Sequence, residues 1–397
     1  MAVTTVNGQR QAAKASFFYR PEVRQVIYQF ILIAAVVFFV WEIASNVAEN
    51  LRRNNIASGF GFWNRTAGFD ISQTLIEYSN TSTYGRAFWV GLCNTLLVAG
   101  LGIVFATIVG FVIGIARLSS NWLVARLATV YVEVIRNLPL LLQLMFWYFA
   151  VLKNLPGPRQ SLALPAGATL NVRGLYLPAP IPEAGFAAVV WMLVVGILAS
   201  IALNVWARRR QMATGQRFPV LWATLGLVFG LPLLVYLVLG MPLGFEYPEL
   251  KGFNFQGGIA VQPEFAALLV GLVMYTASFI AEIVRAGILG VSKGQKEAAR
   301  ALGLTNGQML RLVVIPQASR IIIPPLTSQF LNLTKNSSLA VAIGYPDFVS
   351  VFTGTVLNQT GQAVEMIFLT MLVFLTISLL TSAFMNWFNT RMALVER

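Results

Sequence analysis

Eight long apolar runs constrain this chain more than any other feature of its sequence. Each run is close to the roughly 20 residues that an α-helix needs to cross a hydrocarbon core of about 30 Å. The sequence is 57% hydrophobic and only 11% charged, which is unlike a soluble globular protein. We therefore predict an all-α polytopic membrane protein whose spans cover 26–45, 88–116, 125–150, 184–206, 219–240, 264–287, 318–343 and 364–388.

The distribution of positive charge predicts the orientation of these spans. The chain has 28 lysine and arginine residues and a formal net charge of +13. Most of them fall in the loops that share a side with the amino terminus, which is the positive-inside pattern of membrane proteins. Membrane topology therefore explains the net positive charge, which does not indicate a nucleic acid partner. We predict that both termini are cytoplasmic, and that the first run is a retained signal-anchor helix rather than a cleaved signal peptide.

The loops divide the chain into parts. Two segments on the outer side are long and rich in glycine and proline, and the spans 184–206 and 219–240 form a hairpin that can be removed without changing the orientation of the others. We predict a tail, a span and an outer segment over 1–87, a core in two parts over 88–152 and 263–388, an insertion over 153–262, and a cytoplasmic tail over 389–397.

Several kinds of chemistry are absent from the sequence. It has no histidine and a single cysteine, Cys93, so it offers neither imidazole ligands nor a cysteine cluster for a metal. A phosphate-binding G-x-x-x-x-G-K-[ST] loop is also missing, so the chain is not an ATPase by itself. We predict no catalytic residue, no metal site and no cofactor.

One stretch on the cytoplasmic side is too polar for a span. "EAARALGLTNGQMLRLVVIP" begins with a good helix former and reaches Gly303, the residue type that most readily closes a helix in the left-handed conformation. Thr305 precedes Gln308 by three residues, which is a capping box for a second helix. That helix runs into Pro316, where an ordinary helix ends or kinks. The stretch predicts helix, turn and helix, although a surface loop that happens to be helical is an alternative.

The same stretch resembles a known motif. Glu297, Ala298, Ala299, Gly303 and Pro316 match the EAA loop of ABC-importer permeases, with Val313 and Ile315 where isoleucine and leucine are usual. In that family the loop is the coupling helix, which sits in a groove on a separate ATPase subunit. The resemblance implies a type I importer fold and a coupling loop over 290–316, with contacts from Glu297, Ala298, Ala299, Arg300, Leu302, Gly303, Thr305, Gln308 and Pro316.

Other stretches resemble the polar amino acid permeases of that family. "RNLPLLLQ" from Arg136 to Gln143 matches their Arg-x-x-Pro-Leu-Leu-x-Gln core, and "LTKNSSLAVAIGYPDF" is similar to their Lys-Asp-Thr-Ser-Leu stretch, with Asn336 and Ser337 in place of Asp and Thr. The extra first span and the inserted hairpin resemble the long permeases of general L-amino acid (Aap) and glutamate/glutamine/aspartate/asparagine (Bzt) systems. The resemblance covers roughly half of the chain.

The resemblance also implies partners and a location. It implies a bacterial inner membrane, two ABC ATPase subunits, a periplasmic substrate-binding protein, and a second homologous permease, with a heterodimer favoured over a homodimer. Two alternatives stay open on the sequence. An ion-gradient-driven secondary transporter would need carboxylates near the middle of the membrane, and the spans offer no convincing aspartate or glutamate there. A membrane scaffold would rest only on the long outer loops.

Polar residues inside spans are the candidates for a substrate path, because they are costly in lipid. We expect Pro324 and Pro325 to disrupt their span. Unwound backbone groups and Lys335 could then bind an amino acid substrate. Lys335 could equally extend toward the outer interface. Glu133 and Arg136, like Glu282 and Arg285, are spaced for salt bridges. The candidate path residues are Asn332, Thr334, Lys335, Asn336, Ser337, Ser338, Glu133, Arg136 and Gln143.

Overall fold

The structure of the chain is a computed structural model that describes residues 21–54 and 57–392. Residues 1–20 of the predicted amino-terminal tail and the end of the predicted carboxyl-terminal tail lie outside the described residues. The fold is mostly helical, as predicted. Its helices are α1 (Pro21–Arg53), α2 (Tyr84–Ala116), α3 (Trp122–Asn137), α4 (Leu140–Met145), α5 (Phe186–Thr214), α6 (Val220–Leu225), α7 (Leu231–Val238), α8 (Pro263–Leu289), α9 (Lys293–Ala301), α10 (Asn306–Met309), α11 (Ile315–Asn336), α12 (Leu357–Thr360) and α13 (Ala363–Met392).

Seven helical segments among the described residues are long and apolar enough to cross a membrane. An eighth candidate is α3 together with the helical residues Leu140–Asn154, and these two parts are bent by 107°. This break corrects the predicted span 125–150. Leu138 and Pro139 are extended, with ψ of 132° at both residues, because a residue that precedes proline is driven out of the helical region.

The core forms where α2, α8 and α11 pack together. Gly110 of α2 allows a close approach to α8, since a Cβ atom added there would lie 2.6 Å from the side chain of Ile280. Ile280, Ala106 and Leu333 are each 0% exposed in the same apolar cluster. The small residues of α2 therefore act in helix packing, as the sequence pattern indicated.

Short strands lie in the segments on either side of the α5–α7 hairpin. Four of them form an antiparallel sheet in the order β1-β2-β3-β8, in which Leu175 pairs with Val261, and the others form the pairs β4–β5 and β6–β7. The two segments that flank the hairpin are therefore hydrogen-bonded to each other. The strands are β1 (Leu162–Ala163), β2 (Thr169–Asn171), β3 (Gly174–Leu177), β4 (Ala179–Pro182), β5 (Leu243–Glu246), β6 (Glu249–Lys251), β7 (Asn254–Gln256) and β8 (Ile259–Val261).

Candidate functional site

The cytoplasmic element around Gly303 has the local geometry that its sequence predicted. Gly303 has a φ of +73°, a left-handed conformation that disfavours residues with a Cβ atom. The N–H of Gly303 donates to the Arg300 carbonyl at 2.9 Å, and the N–H of Leu304 donates to the Ala299 carbonyl at 3.2 Å. This pair of bonds is a Schellman motif, which satisfies carbonyl groups at the end of α9.

The second helix of the element begins with the predicted capping box. The N–H of Gln308 donates to Thr305 Oγ1 at 3.3 Å, and the N–H of Thr305 donates to Gln308 Oε1 at 3.0 Å. Pro316, however, does not end this helix. A π-helical turn over Leu310–Val314 joins α10 to α11, and the helical conformation continues through the proline. The predicted break at Pro316 is therefore wrong.

The two faces of α9 have different surroundings. Ala299 is 3% exposed and packs in the same cluster as Met309 and Val314, so it anchors α9 to the next helix. A hydrogen bond of 3.3 Å between the side chains of Gln317 and Gln295 adds to this attachment. The buried position of Ala299 leaves it unable to touch an ATPase, which corrects that part of the prediction. The exposed residues of α9 and its turn include Glu297, Ala298, Arg300 and Leu302, the last of which is 81% exposed.

The predicted path residues at the end of α11 do not all face the same way. Thr334 and Ser337 are buried, and their hydroxyl groups donate to carbonyl groups of their own helix at 2.9 Å and 2.7 Å. Asn332 and Lys335 are exposed. Lys335 and Ser338 line an open cavity of about 510 Å³ between α11 and α13, together with Val349, Thr370, Met371, Phe374, Leu375 and Ser378.

The expected disruption at Pro324 and Pro325 does not occur. Helix α11 continues through both prolines as far as Asn336, and a 3-10 helix then runs over Ser337–Ile343. The backbone change therefore lies beyond Lys335 rather than below it. Asn336 ends the α-helix and is partly exposed.

Gln143 stabilises the break in the third span. Its side chain is 6% exposed, and Nε2 donates to the carbonyl oxygens of Ile135 and Leu138, both at 3.0 Å. These carbonyl groups lie at the end of α3, where helical partners are missing. The Oε1 atom of Gln143 has no partner among the described residues, and the residue lines a cavity of about 300 Å³.

A charged cluster surrounds Glu282 at the cytoplasmic end of α8. Its carboxylate forms ion pairs with Arg117 at the end of α2 and with Arg285, whose Nη2 lies 2.6 Å from Oε1. Arg136 lies 3.9 Å from the same carboxylate, and its guanidinium is 5.0 Å from the ring of Phe279. The salt bridge predicted between Glu282 and Arg285 is therefore present.

The salt bridge predicted between Glu133 and Arg136 is not among the ion pairs of the described residues, because Arg136 reaches across to α8 instead. Glu133 is exposed. The sequence analysis also missed Arg117 as a partner of Glu282. Its place directly after the apolar run of α2 marks the end of a span, but no local spacing indicates a partner so far along the chain.

Comparisons with known proteins agree with these features. A family model described as "Binding-protein-dependent transport system inner membrane component" matches residues 192–394. The general L-amino acid transport system permease protein AapQ of Rhizobium johnstonii is 58% identical over 382 residues, which cover 96% of this chain and 95% of that protein. The glutamate/glutamine/aspartate/asparagine transport system permease protein BztB of Rhodobacter capsulatus is 42% identical over 406 residues, covering 94% and 93%.

Among solved structures, the crystal structure of an amino acid ABC transporter with histidines covers 78% of this chain and 95% of that chain, with 22% identity and a TM-score of 0.47. The family model and the relatives matched over nearly their whole length carry the assignment. This chain belongs to the binding-protein-dependent transport system inner membrane components, the membrane-embedded permeases of ABC importers.

Proposed function

We propose that this chain is the permease subunit of an ATP-driven importer that moves polar L-amino acids from a periplasmic binding protein into the cytoplasm. The observation that carries the proposal is the similarity to AapQ over 96% of the chain, since that relative is described as a general L-amino acid permease. The exposed helix α9, fixed to a span through Ala299, supports it.

In this proposal a separate ATPase hydrolyses ATP, and the permease transmits the resulting movement. Two ATPase subunits bind on the cytoplasmic side, one of them against the exposed face of α9. Leu302 and Ala298 supply apolar contacts there, and Glu297 and Arg300 supply polar contacts at the rim. Because Ala299 packs against α10 and the start of α11, a shift of α9 moves these helices with it.

A second permease completes the path. Asn332 and Lys335 are exposed on the side of a span-forming helix, where contact with lipid is costly for polar groups. A homologous permease packed on this face would enclose them in a water-filled space between the two chains. We favour a distinct homologous permease over a second copy of this chain as that partner.

The inserted segment 153–262 is a separate part of this proposal. Its strands pair across the base of the hairpin, and α5 packs against the π-helical turn Gly226–Gly230 closely enough that a Cβ atom at Gly196 would lie 2.1 Å from the Leu227 carbonyl. We infer that the hairpin folds as a unit added to the core. Replacing 184–240 with a short linker should leave ATPase binding intact, and loss of ATPase binding would show that the hairpin belongs to the core.

The test is reconstitution of this chain in vesicles together with the ATPase, second permease and binding protein that the proposal requires. We expect uptake of labelled polar L-amino acids that requires both ATP inside the vesicles and binding protein outside. A control uses this chain alone with a proton or sodium gradient and no ATP. Uptake under the control conditions would show a secondary transporter, and no uptake under any condition would contradict a transport role.

A further inference from the structure

A polar cavity lies on the outer side of the protein, away from the predicted path residues. Its volume is about 390 Å³, within the range of small-molecule sites. Five parts of the chain that are distant in sequence form it: the segment between α1 and α2, the end of the third span, the turn between β2 and β3, the start of α8, and the residue that follows the 3-10 helix over Ser337–Ile343. The lining includes Ser72, Lys153, Arg173, Gln262, Glu264 and Gly344.

Backbone contacts fix the walls of this cavity. The side chain of Gln262 donates a hydrogen bond to the Ser72 carbonyl, which ties the outer segment to the start of α8. The N–H of Arg173 donates to Asn171 Oδ1 at 2.8 Å, and Asn171 is 0% exposed. The turn that carries Arg173 is thereby held in place. Its guanidinium forms no ion pair or hydrogen bond with the described residues and remains free for a ligand.

Glu264 presents an oriented carboxylate to the same space. The hydroxyl of Tyr148 donates to Oε1 at 2.6 Å, and the ammonium of Lys153 lies 3.6 Å from that oxygen and 4.9 Å from the Tyr148 ring. These two groups hold one oxygen of the carboxylate. The other, Oε2, accepts no hydrogen bond from the described residues, so it can receive a donor from a ligand.

The three charged groups complement an amino acid. Arg173 and Lys153 are cations that bind carboxylates, and arginine does so through two parallel hydrogen bonds. Glu264 matches an α-ammonium group. Two cations and one carboxylate leave a net charge of +1 on the lining, which complements an amino acid that has a second carboxylate.

We propose that this cavity is an outer binding site for acidic amino acids, in which Glu264 receives the ammonium group and Arg173 and Lys153 receive the two carboxylates. The proposal rests on the proposed amino acid transport and adds to it a substrate class and a place of arrival. The amino acid released by the binding protein occupies this site before it enters the membrane path. Its position on the outer side, at the start of a core helix, suits that order.

The test measures equilibrium binding of radiolabelled L-glutamate to the complete transporter in lipid nanodiscs, without binding protein or ATP. We expect L-glutamate to compete better than L-glutamine, and L-arginine to compete least. Arg173→Ala and Glu264→Gln should each weaken glutamate binding on the order of tenfold, since each removes one charged hydrogen-bonding partner. Glu264→Gln keeps an oxygen that can accept the hydrogen bond from Tyr148. A loss of glutamate affinity in this variant would therefore result from the lost negative charge.

Arg159→Ala is the matched control. Arg159 lies nearby, over the ring of Phe253 at 5.4 Å, and does not line this cavity, so its loss removes the same charge and should leave glutamate affinity unchanged. Equal glutamate affinity in the Arg173 and Arg159 variants would overturn the proposal. So would a loss of binding-protein affinity in the Arg173 variant with unchanged glutamate affinity, because Arg173 would then contact the protein.

An uptake measurement on the same transporter in closed vesicles separates this proposal from the proposed function. ATP-driven amino acid uptake by the unmodified transporter would support the function even where the cavity fails the binding test. Absence of such uptake would contradict the function, whatever the cavity binds.

Discussion

The N–H of Leu304 donates a hydrogen bond to the carbonyl oxygen of Ala299 at 3.2 Å, across the left-handed residue that ends helix α9. Ala299 is buried, whereas the turn itself is exposed. The hydrogen bond therefore links the anchored side of α9 to the chain that enters α10. The angle between the two helices depends on a backbone conformation that glycine adopts most easily.

Gly303→Ala should weaken coupling. An added Cβ atom meets nothing within 4 Å, so its effect comes from the left-handed φ, at a cost of roughly 1–2 kcal/mol. Gly294→Ala is the control, because its Cβ atom is also free of contacts and its φ is ordinary. We expect lower ATP-driven uptake for Gly303→Ala and unchanged uptake for Gly294→Ala. Equal uptake by the two variants would argue against a role for this turn.

Leu302→Asp and Ala299→Asp should fail in different ways. Leu302 is 81% exposed, so its replacement should change the free energy of unfolding by less than about 0.5 kcal/mol while weakening ATPase binding on the order of tenfold. Ala299 is 3% exposed, so an aspartate there should destabilise the permease itself. Thermal unfolding in detergent and copurification of the ATPase would separate the two effects. Normal ATPase binding by Leu302→Asp would show that Leu302 does not contact the ATPase.

Glu282→Ala should destabilise the cytoplasmic end of the bundle. It leaves Arg117, whose side chain is 10% exposed, without its carboxylate, and unpaired buried charges cost roughly 3 kcal/mol. Arg136→Ala should cost less than about 1 kcal/mol, since Arg136 is 39% exposed and 3.9 Å from the carboxylate. The measurement is the midpoint of thermal unfolding. Similar midpoints for the two variants would show that Arg117 does not depend on Glu282.

Asp347 should make stability depend on pH. It is 0% exposed between α11 and α12, and burial raises its pKa to about 7 from an ordinary value of 3.8. A pKa raised by folding gives a contribution to stability that is complete below about pH 4 and is lost as the pH rises through about 7. The temperature of the unfolding midpoint should therefore decrease as the pH is raised from 5 to 8. The chain has no histidine to titrate in this range.

Asp347→Asn should flatten this dependence. Asparagine keeps an oxygen to accept the hydrogen bond that the N–H of Ser350 donates to Oδ1 at 2.8 Å, and it carries no charge. The variant should be the more stable form at pH 8. Asp70→Asn, at an exposed position, is the control and should behave like the unmodified chain. A pH dependence that persists in Asp347→Asn would have another origin.

Local features of the site were predictable from the sequence. The conformation of Gly303 and the capping box of Thr305 and Gln308 depend on residues within one turn of each other, so residue type and spacing determine them. The break before Pro139 was also within reach, because a residue that precedes proline avoids the helical region. The apolar run continues through Pro139, however, so its length predicted a single span over 125–150.

Features that depend on packing were not predictable in the same way. Spacing paired Arg136 with Glu133 on one helix, but the carboxylate nearest to Arg136 belongs to Glu282, which only the packing of α3 on α8 brings close. Pro324 and Pro325 lack N–H donors, yet the helix continues because its neighbours hold it: Ile322, Ile323 and Leu326 are all buried in the core cluster. Local propensity predicts a break there, and tertiary contacts override it.

The π-helical turn before Pro316 keeps α10 and α11 in one continuous helix. It joins α10 to α11, so the chain is helical without interruption from Asn306 to Asn336, a rod of about 45 Å at 1.5 Å per residue. A hinge at the proline would absorb a push from the cytoplasm within the first two turns. Under the proposed function, the continuous helix would instead transmit that push to its far end, so that a displacement at the ATPase would produce one beside Lys335.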